Sequence, residues 1–188
     1  VSIAPVRESI RILAAEDLIE IRPRRSPIIA KVDENGLFEI NIIRSSLETV
    51  VLKDAVPKHT DKSIKACEDI LREDESCTDL WEKADLNMRF HMALLAPSSL
   101  HRVKEIIKNQ YVGMARIMHY RLVNYLHQNP KLAWAHAAEH QSLMAAVRER
   151  EIEKSVDLLE QHIARATERA KRLFSEPAAL THPSIAEK

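Results

Sequence analysis

Two glycines, Gly36 and Gly113, in a chain of 188 residues leave little material for the tight turns that join strands. A β-rich fold needs glycine at many such turns, so the chain is predicted to be mainly α. With 45% hydrophobic and 30% charged residues it can bury a core and keep a solvated surface. Its length suits one medium domain plus part of another. Apolar periodicity and the prolines Pro57, Pro97 and Pro130 divide the body into six helices, over about residues 34–56, 60–75, 78–96, 99–127, 131–149 and 152–174. Gly113 is a candidate bend in the fourth of these. The domains expected are 1–31, 32–176 and a tail over 177–188.

Several function classes are excluded early. The 28 basic and 28 acidic residues rule out a generally basic nucleic-acid coat but permit a local basic patch. Cys67 and Cys77 are too few for a disulfide framework or a cysteine zinc site, which points to a reducing compartment, the cytoplasm. No apolar run approaches the roughly 20 residues needed to span a bilayer, so no membrane partner is expected. No Ser-His-Asp arrangement, phosphate-cradling glycine loop or dinucleotide fingerprint is visible.

The first thirty-one residues have a character of their own. Ser2 can cap a helix whose first turn holds Pro5, and Val6, Ile10 and Leu13 recur at helical spacing, so they are expected to face a core. Arg7 and Arg11 lie four apart on another face. Leu18 to Arg22 alternates as a strand, Pro23 to Pro27 forms a turn carrying Arg24 and Arg25, and Ile28 to Ala30 returns as a second strand. A helix followed by a hairpin with a basic tip is the C-terminal half of a winged helix-turn-helix domain, a reader of DNA grooves. The competing reading is a capped surface helix with a solvated hairpin.

The candidate chemistry of the body lies in its histidines. Asn87 and His91 are four residues apart on the third helix, about 40° from each other around its axis. His140 and His162 follow on two later helices, with apolar neighbours Leu143, Met144, Leu158, Leu159 and Ile163. Three inward imidazoles and one amide oxygen could surround a divalent cation inside a bundle. His59, His101, His119, His127 and His182 are given no metal role. Asp85, six residues before His91, sits about 240° around the helix and is a poor substitute for Asn87.

Two resemblances sharpen these readings. The stretch Val1-Ser-Ile-Ala-Pro-Val-Arg-Glu-Ser-Ile-Arg-Ile-Leu13, followed by Glu16-Asp-Leu-Ile-Glu-Ile-Arg-Pro-Arg-Arg25, closely resembles the recognition helix and wing of the GntR family of bacterial transcription regulators. The resemblance implies DNA contacts by Ser2 and Arg7, with Arg11, Arg25 and Ser26 nearby. Ile3 and Ala4 stand where the family usually has Arg and Thr, and Ser26 replaces a common wing-tip glycine. The chain is read as N-terminally incomplete, lacking the first helices of the reader. Residues 33 to 174 resemble the helical FCD effector-binding domain of the FadR-like branch. The contexts Asn-Met-Arg-Phe-His-Met-Ala-Leu, Glu-His-Gln-Ser-Leu-Met and Leu-Leu-Glu-Gln-His-Ile carry that likeness, as does Phe38 to Glu48.

The second resemblance implies a metal centre of Asn87, His91, His140 and His162, with asparagine where the family commonly has aspartate, and zinc or nickel as the metal. It implies a small carboxylate metabolite as effector, with Arg44 as a pocket arginine. A salt bridge from Arg44 to Glu48 one turn on is an equal reading, and Arg116 and Arg121 are weaker candidates. It further implies a homodimer whose paired readers bind operator DNA. Two other classes compete. His136-Ala-Ala-Glu139-His140 fits the H-x-x-E-H pattern of inverted zinc peptidases, with Glu139 as base. A purely structural dimerisation module, its histidines satisfied in the core, is the second.

Overall fold

The computed structural model describes residues 3–15, 19–29, 34–128 and 136–175. Helix α1 covers Ile3–Ala15, and two short antiparallel strands follow, β1 (Ile19–Glu20) and β2 (Ile28–Ile29), with Ile19 opposite Ile29 and Glu20 opposite Ile28. Between them Arg25 N–H donates to Arg22 O at 3.3 Å, closing a turn over Pro23 and Arg24. Proline presets the backbone for the second position of such a turn, and Arg24 takes the left-handed conformation, φ 58°, that glycine more commonly supplies. The expectation that Val6 faces a core is corrected. Val6 is 51% exposed, while Ile10 and Leu13 are half-buried, because among the described residues the principal packing of α1 is along the small β1 strand.

Among the described residues the body has six helices: α2 (Glu34–Ala55), α3 (Asp61–Ser76), α4 (Leu80–Leu95), α5 (His101–Gln128), α6 (Ala137–Arg148) and α7 (Ile152–Ser175). The mainly α expectation holds, and the boundaries fall within a few residues of the periodicity. The predicted helix start at residue 131 and the predicted tail lie outside the described residues. A 3-10 turn, Val56–Lys58, carries Pro57 after α2. Helix α3 then starts on a reciprocal cap, with Thr60 Oγ1 accepting from Ser63 N–H at 3.2 Å and Ser63 Oγ accepting from Thr60 N–H at 2.8 Å. Among the described residues no helix is long and apolar enough to cross a membrane.

Helix α2 packs along α7 and α5, α3 along α4, and α6 along α7. The core between them holds Leu52, Phe90, Leu94, Ile107, Leu143 and Leu159. A buried Lys83–Asp74 pair, 3.1 Å apart, ties α4 to α3. Arg150, left-handed at φ 60°, turns α6 into α7 and donates to the carbonyls of Val56, at 2.7 Å, and His59. That contact pins the α6–α7 hairpin to the end of α2. His59 serves the scaffold too, with Nε2 at 2.9 Å from Leu94 O and Nδ1 at 3.0 Å from Ser63 Oγ.

Helix α5 runs unbroken through Gly113, whose missing Cβ would meet, among the described residues, only Ile40 Cδ1, at an ordinary 3.5 Å. Glycine therefore weakens the helix here without a steric reason. Gly113→Ala is expected to stabilise the protein by ~0.5–1 kcal/mol, visible as a higher midpoint in thermal unfolding. A lowered midpoint would mean that the backbone needs the glycine.

Candidate metal centre

The inner face of α2 is where the site begins. Leu37, Asn41, Arg44, Glu48, Val51, Leu52 and Ala55 are all buried and recur at helical spacing. Three polar side chains thus stand in a core stripe, and each must find partners inside the protein. They find them among themselves and on two other helices. Arg44 Nε donates to Glu48 Oε1 at 2.7 Å, Arg44 Nη1 to Asn41 Oδ1 at 3.3 Å, and Arg44 Nη2 to Tyr111 Oη of α5 at 2.6 Å. Burial raises the Glu48 carboxyl, but the charge of Arg44 and the hydrogen bond from His91 outweigh it and hold the group at about 2.

Glu48 Oε2 lies 3.1 Å from His91 Nδ1 on α4. Across the core, Glu139 Oε2 lies 2.7 Å from His162 Nδ1 on α7. Arg165 Nε donates to Glu139 Oε1 at 2.8 Å, and Arg169 reaches both oxygens at 3.1 and 3.3 Å. Burial raises the Glu139 carboxyl as well, yet His162 and Arg169 bring it to about 2. Both carboxylates are ionised at neutral pH, so each Nδ1 facing one carries the proton. Burial also pushes all three inner imidazoles below the ordinary histidine value, His162 to about 4, so they are neutral. A neutral imidazole protonated on Nδ1 bears a lone pair on Nε2.

The lone pairs of His91 and His162 face each other, with the His140 ring nitrogen beside them. His91 Nε2 is 3.2 Å from His162 Nε2, and His140 Nε2 is 3.4 Å from the same atom; one nitrogen from each of the three rings lies within 4.8 Å of the others. Between His91 and His162, two acceptors at such a distance cannot form a hydrogen bond, and nothing in the two rings relieves the contact. A cation bound between them does. Zinc–nitrogen bonds of ~2.0–2.1 Å in tetrahedral geometry place neighbouring nitrogens about 3.3–3.4 Å apart, close to the spacing seen here. The paired carboxylates supply the carboxylate–histidine support common to metal-bound imidazole. The donor set therefore fits a divalent ion, with His91, His140 and His162 as the residues that would hold it.

The other candidates fall as follows. Asn87 is half-buried one turn before His91 on α4. Arg44 has the Glu48 salt bridge, and is 2% exposed. His101 is exposed. The side chains of Arg116, Arg121, His119 and His127 lie outside the described residues, as does His182. On α1, Arg7 and Arg11 are exposed, with Arg11 only 3.9 Å from Glu8, and Arg25 and Ser26 are exposed at the hairpin tip. Ser2 lies outside the described residues. The residues that sequence reasoning missed are Tyr111 and the supporting role of the two glutamates. For Glu48 the signal was a run of polar side chains at core spacing on α2; Tyr111 and Glu139 stand on other helices and carried no such signal.

Comparison with known proteins decides the family. The FCD domain family matches residues 39–165. The chain belongs to the FCD branch of the GntR regulators. It is similar to the HTH-type transcriptional regulator McbR of Escherichia coli (strain K12), 27% identical over 173 residues that cover 87% of this chain and 76% of that protein. The HTH-type transcriptional repressor GlaR of the same organism is 24% identical over 170 residues, 86% of this chain and 76% of the relative. Among solved structures, that of E. coli McbR/YncC superposes with a TM-score of 0.76 at 23% identity, covering 92% of this chain and 86% of the other. A GntR regulator from Rhodococcus sp. RHA1 gives 0.75 at 17% identity, covering 92% and 81%.

This FCD regulator is a transcription regulator and not an enzyme, which corrects the peptidase alternative. The physical reason is visible at Glu139. Both its oxygens are held by His162, Arg165 and Arg169, so no lone pair is free to activate a water. His136 is also not one of the three residues whose ring nitrogens converge.

Asn87→Asp is expected to tighten binding of a divalent metal, because a carboxylate adds negative charge to a set of neutral ligands. Competition with a chromophoric chelator measures it. An unchanged or weaker affinity would place residue 87 outside the coordination sphere.

Proposed function

We propose that this regulator senses a small carboxylate-bearing metabolite at a metal ion, zinc or nickel, held by His91, His140 and His162 with help from Asn87. The observation that carries the reading is the convergence of three imidazole nitrogens, two of them left with an Nε2 lone pair by carboxylates on the opposite ring nitrogen. When bound, the ion supplies a Lewis-acidic position beyond its protein ligands, one that a carboxylate oxygen suits. Charge favours an anion there as well. Three guanidiniums, Arg44, Arg165 and Arg169, stand against two carboxylates around neutral imidazoles. A dication leaves the surroundings clearly positive.

The DNA half rests on α1 and its hairpin. Arg7 and Arg11 project from a helix of a size suited to the major groove, and Arg25 and Ser26 from a tip that can reach phosphates. Arg24, exposed and left-handed at the same tip, joins them as a phosphate contact. Helix α2 leaves Phe38, Ile42, Ile43 and Val50 exposed, apolar surface that a second copy of the chain can cover in a homodimer. Effector binding would then bias the paired helical domains between two arrangements and change the spacing of the two readers.

Two measurements test this. Purified protein is expected to carry about one divalent ion per chain by elemental analysis, and a chelator to lower its melting temperature, since a ligand bound only by the folded state stabilises it. Metal content unchanged in both His140→Ala and His162→Ala refutes the ligand set. For DNA, the full chain is titrated with salt on the DNA upstream of its own gene and on random DNA. Arg25→Ala should weaken both alike and reduce the salt slope by about one. Arg7→Ala should cost ~1–3 kcal/mol on the specific site alone. Equal losses on both DNAs for Arg7→Ala would remove it from base recognition.

A further inference from the structure

We propose that Arg44 is a positioning residue of the metal centre, acting through Glu48 on His91, and is not an open receptor for the effector. The inference rests on the metal-centre reading above and concerns how that site is held. Glu48 is a two-sided acceptor: Oε1 takes the Arg44 Nε–H at 2.7 Å and Oε2 faces His91 Nδ1 at 3.1 Å. All three side chains are buried, Glu48 and His91 completely. No solvent molecule can replace either donor without opening the core.

Arg44 is itself anchored at every nitrogen. Nε is on Glu48, Nη2 is 2.6 Å from Tyr111 Oη, and Nη1 is 3.3 Å from Asn41 Oδ1 and 3.1 Å from Met114 Sδ. A guanidinium that grips an incoming carboxylate needs two parallel N–H bonds free on one edge. Here the Nε–Nη2 edge and the Nη1–Nη2 edge each already hold protein partners. The side chain is built into the scaffold, and what it presents to the metal is the orientation of Glu48. Glu48 in turn fixes which nitrogen of His91 carries the proton, and so whether Nε2 can offer a lone pair to an ion.

The choice of glutamate follows from the same geometry. A glutamine at 48 has one accepting oxygen and one donating nitrogen, so it satisfies either Arg44 Nε–H or His91 Nδ1–H but never both. With the amide nitrogen toward His91, the ring must turn its proton to Nε2 and the lone pair toward the metal is lost. A lysine at 44 keeps the charge but gives up the planar fork that reaches Glu48, Tyr111 and Asn41 together.

The experiment is zinc affinity by chelator competition for the wild-type chain, Arg44→Lys, Glu48→Gln and the double variant, with no effector added. Glu48→Gln is expected to weaken zinc binding 10–100-fold and Arg44→Lys about 10-fold. Because one residue acts through the other, the double variant should bind no more weakly than Glu48→Gln alone. Losses that multiply, or an Arg44→Lys chain that binds zinc as the wild type does, overturn the proposal. A wild-type chain that binds no zinc or nickel overturns the metal-centre reading and the relay with it. Nitrogen-15 NMR of the metal-free wild type gives a second test that needs no substitution: His91 must be the Nδ1–H tautomer, and an Nε2–H signal for it refutes the relay.

Discussion

A carboxylate taken wholly out of water is tolerable only when each oxygen is bonded and its charge is answered. Glu48 is such a group, and much of the helical domain is arranged around it. Its counter-charge comes from Arg44 one turn back on the same helix. Its second donor comes from His91, which fixes the register of α4 against α2. Tyr111, bonded to Arg44, adds α5 to the same cluster. Apolar packing alone would let these helices slide by a turn at modest cost, whereas a misregistered Glu48 would leave a buried charge unpaired. The cluster thus specifies one packing among several that the apolar core would accept.

The second half of the centre is built on a different principle. His140 and Glu139 are consecutive residues of α6, yet one points its ring at the other two imidazoles while the other reaches across to His162 and to two arginines of α7. His162, Arg165 and Arg169 share one face of α7 at spacings of three and four residues. The hairpin of α6 and α7 is therefore stitched along its length by charge, and Arg150 at its turn fastens it to the end of α2. A metal ion would join this hairpin to α4, so that the ligand nitrogens come from three separate helices.

Much of this was legible in the chain itself. Glycine scarcity and apolar spacing fixed the helical class, and the boundaries of α2 to α5 and α7 came out within a few residues, because apolar periodicity and prolines mark them. The three histidines stood out because imidazoles with apolar neighbours on helical faces need a reason to be there. What the sequence hid were the relations between helices. Arg44 and Glu48 at spacing four were read as an effector arginine or as a salt bridge one turn long, and the salt bridge is present. Nothing local says that Tyr111, sixty-seven residues on, closes the cluster above them. Glu139 drew a competing hydrolytic reading for the same reason: H-x-x-E-H looks like a hydrolytic motif until α7 is packed beside it. Val6 failed differently, since helical spacing says which residues share a face but not whether anything covers that face.

The two carboxylates that flank the imidazoles differ in one respect that matters for how the centre meets its surroundings. On the α2 side every member is sealed in, and Arg44 has no route to solvent. On the α7 side the chain of bonds runs outward: Arg165 is 46% exposed and Arg169 28%, while Glu139 behind them is 13% exposed and His162 only 5%. Dissolved ions screen exposed charges within about 8–10 Å at physiological salt and hardly touch buried ones. The centre thus has an insulated pole and an open one. Changes in salt, or an anion settling on the outer guanidiniums, reach His162 through a single intervening carboxylate, while His91 is held to a fixed reference.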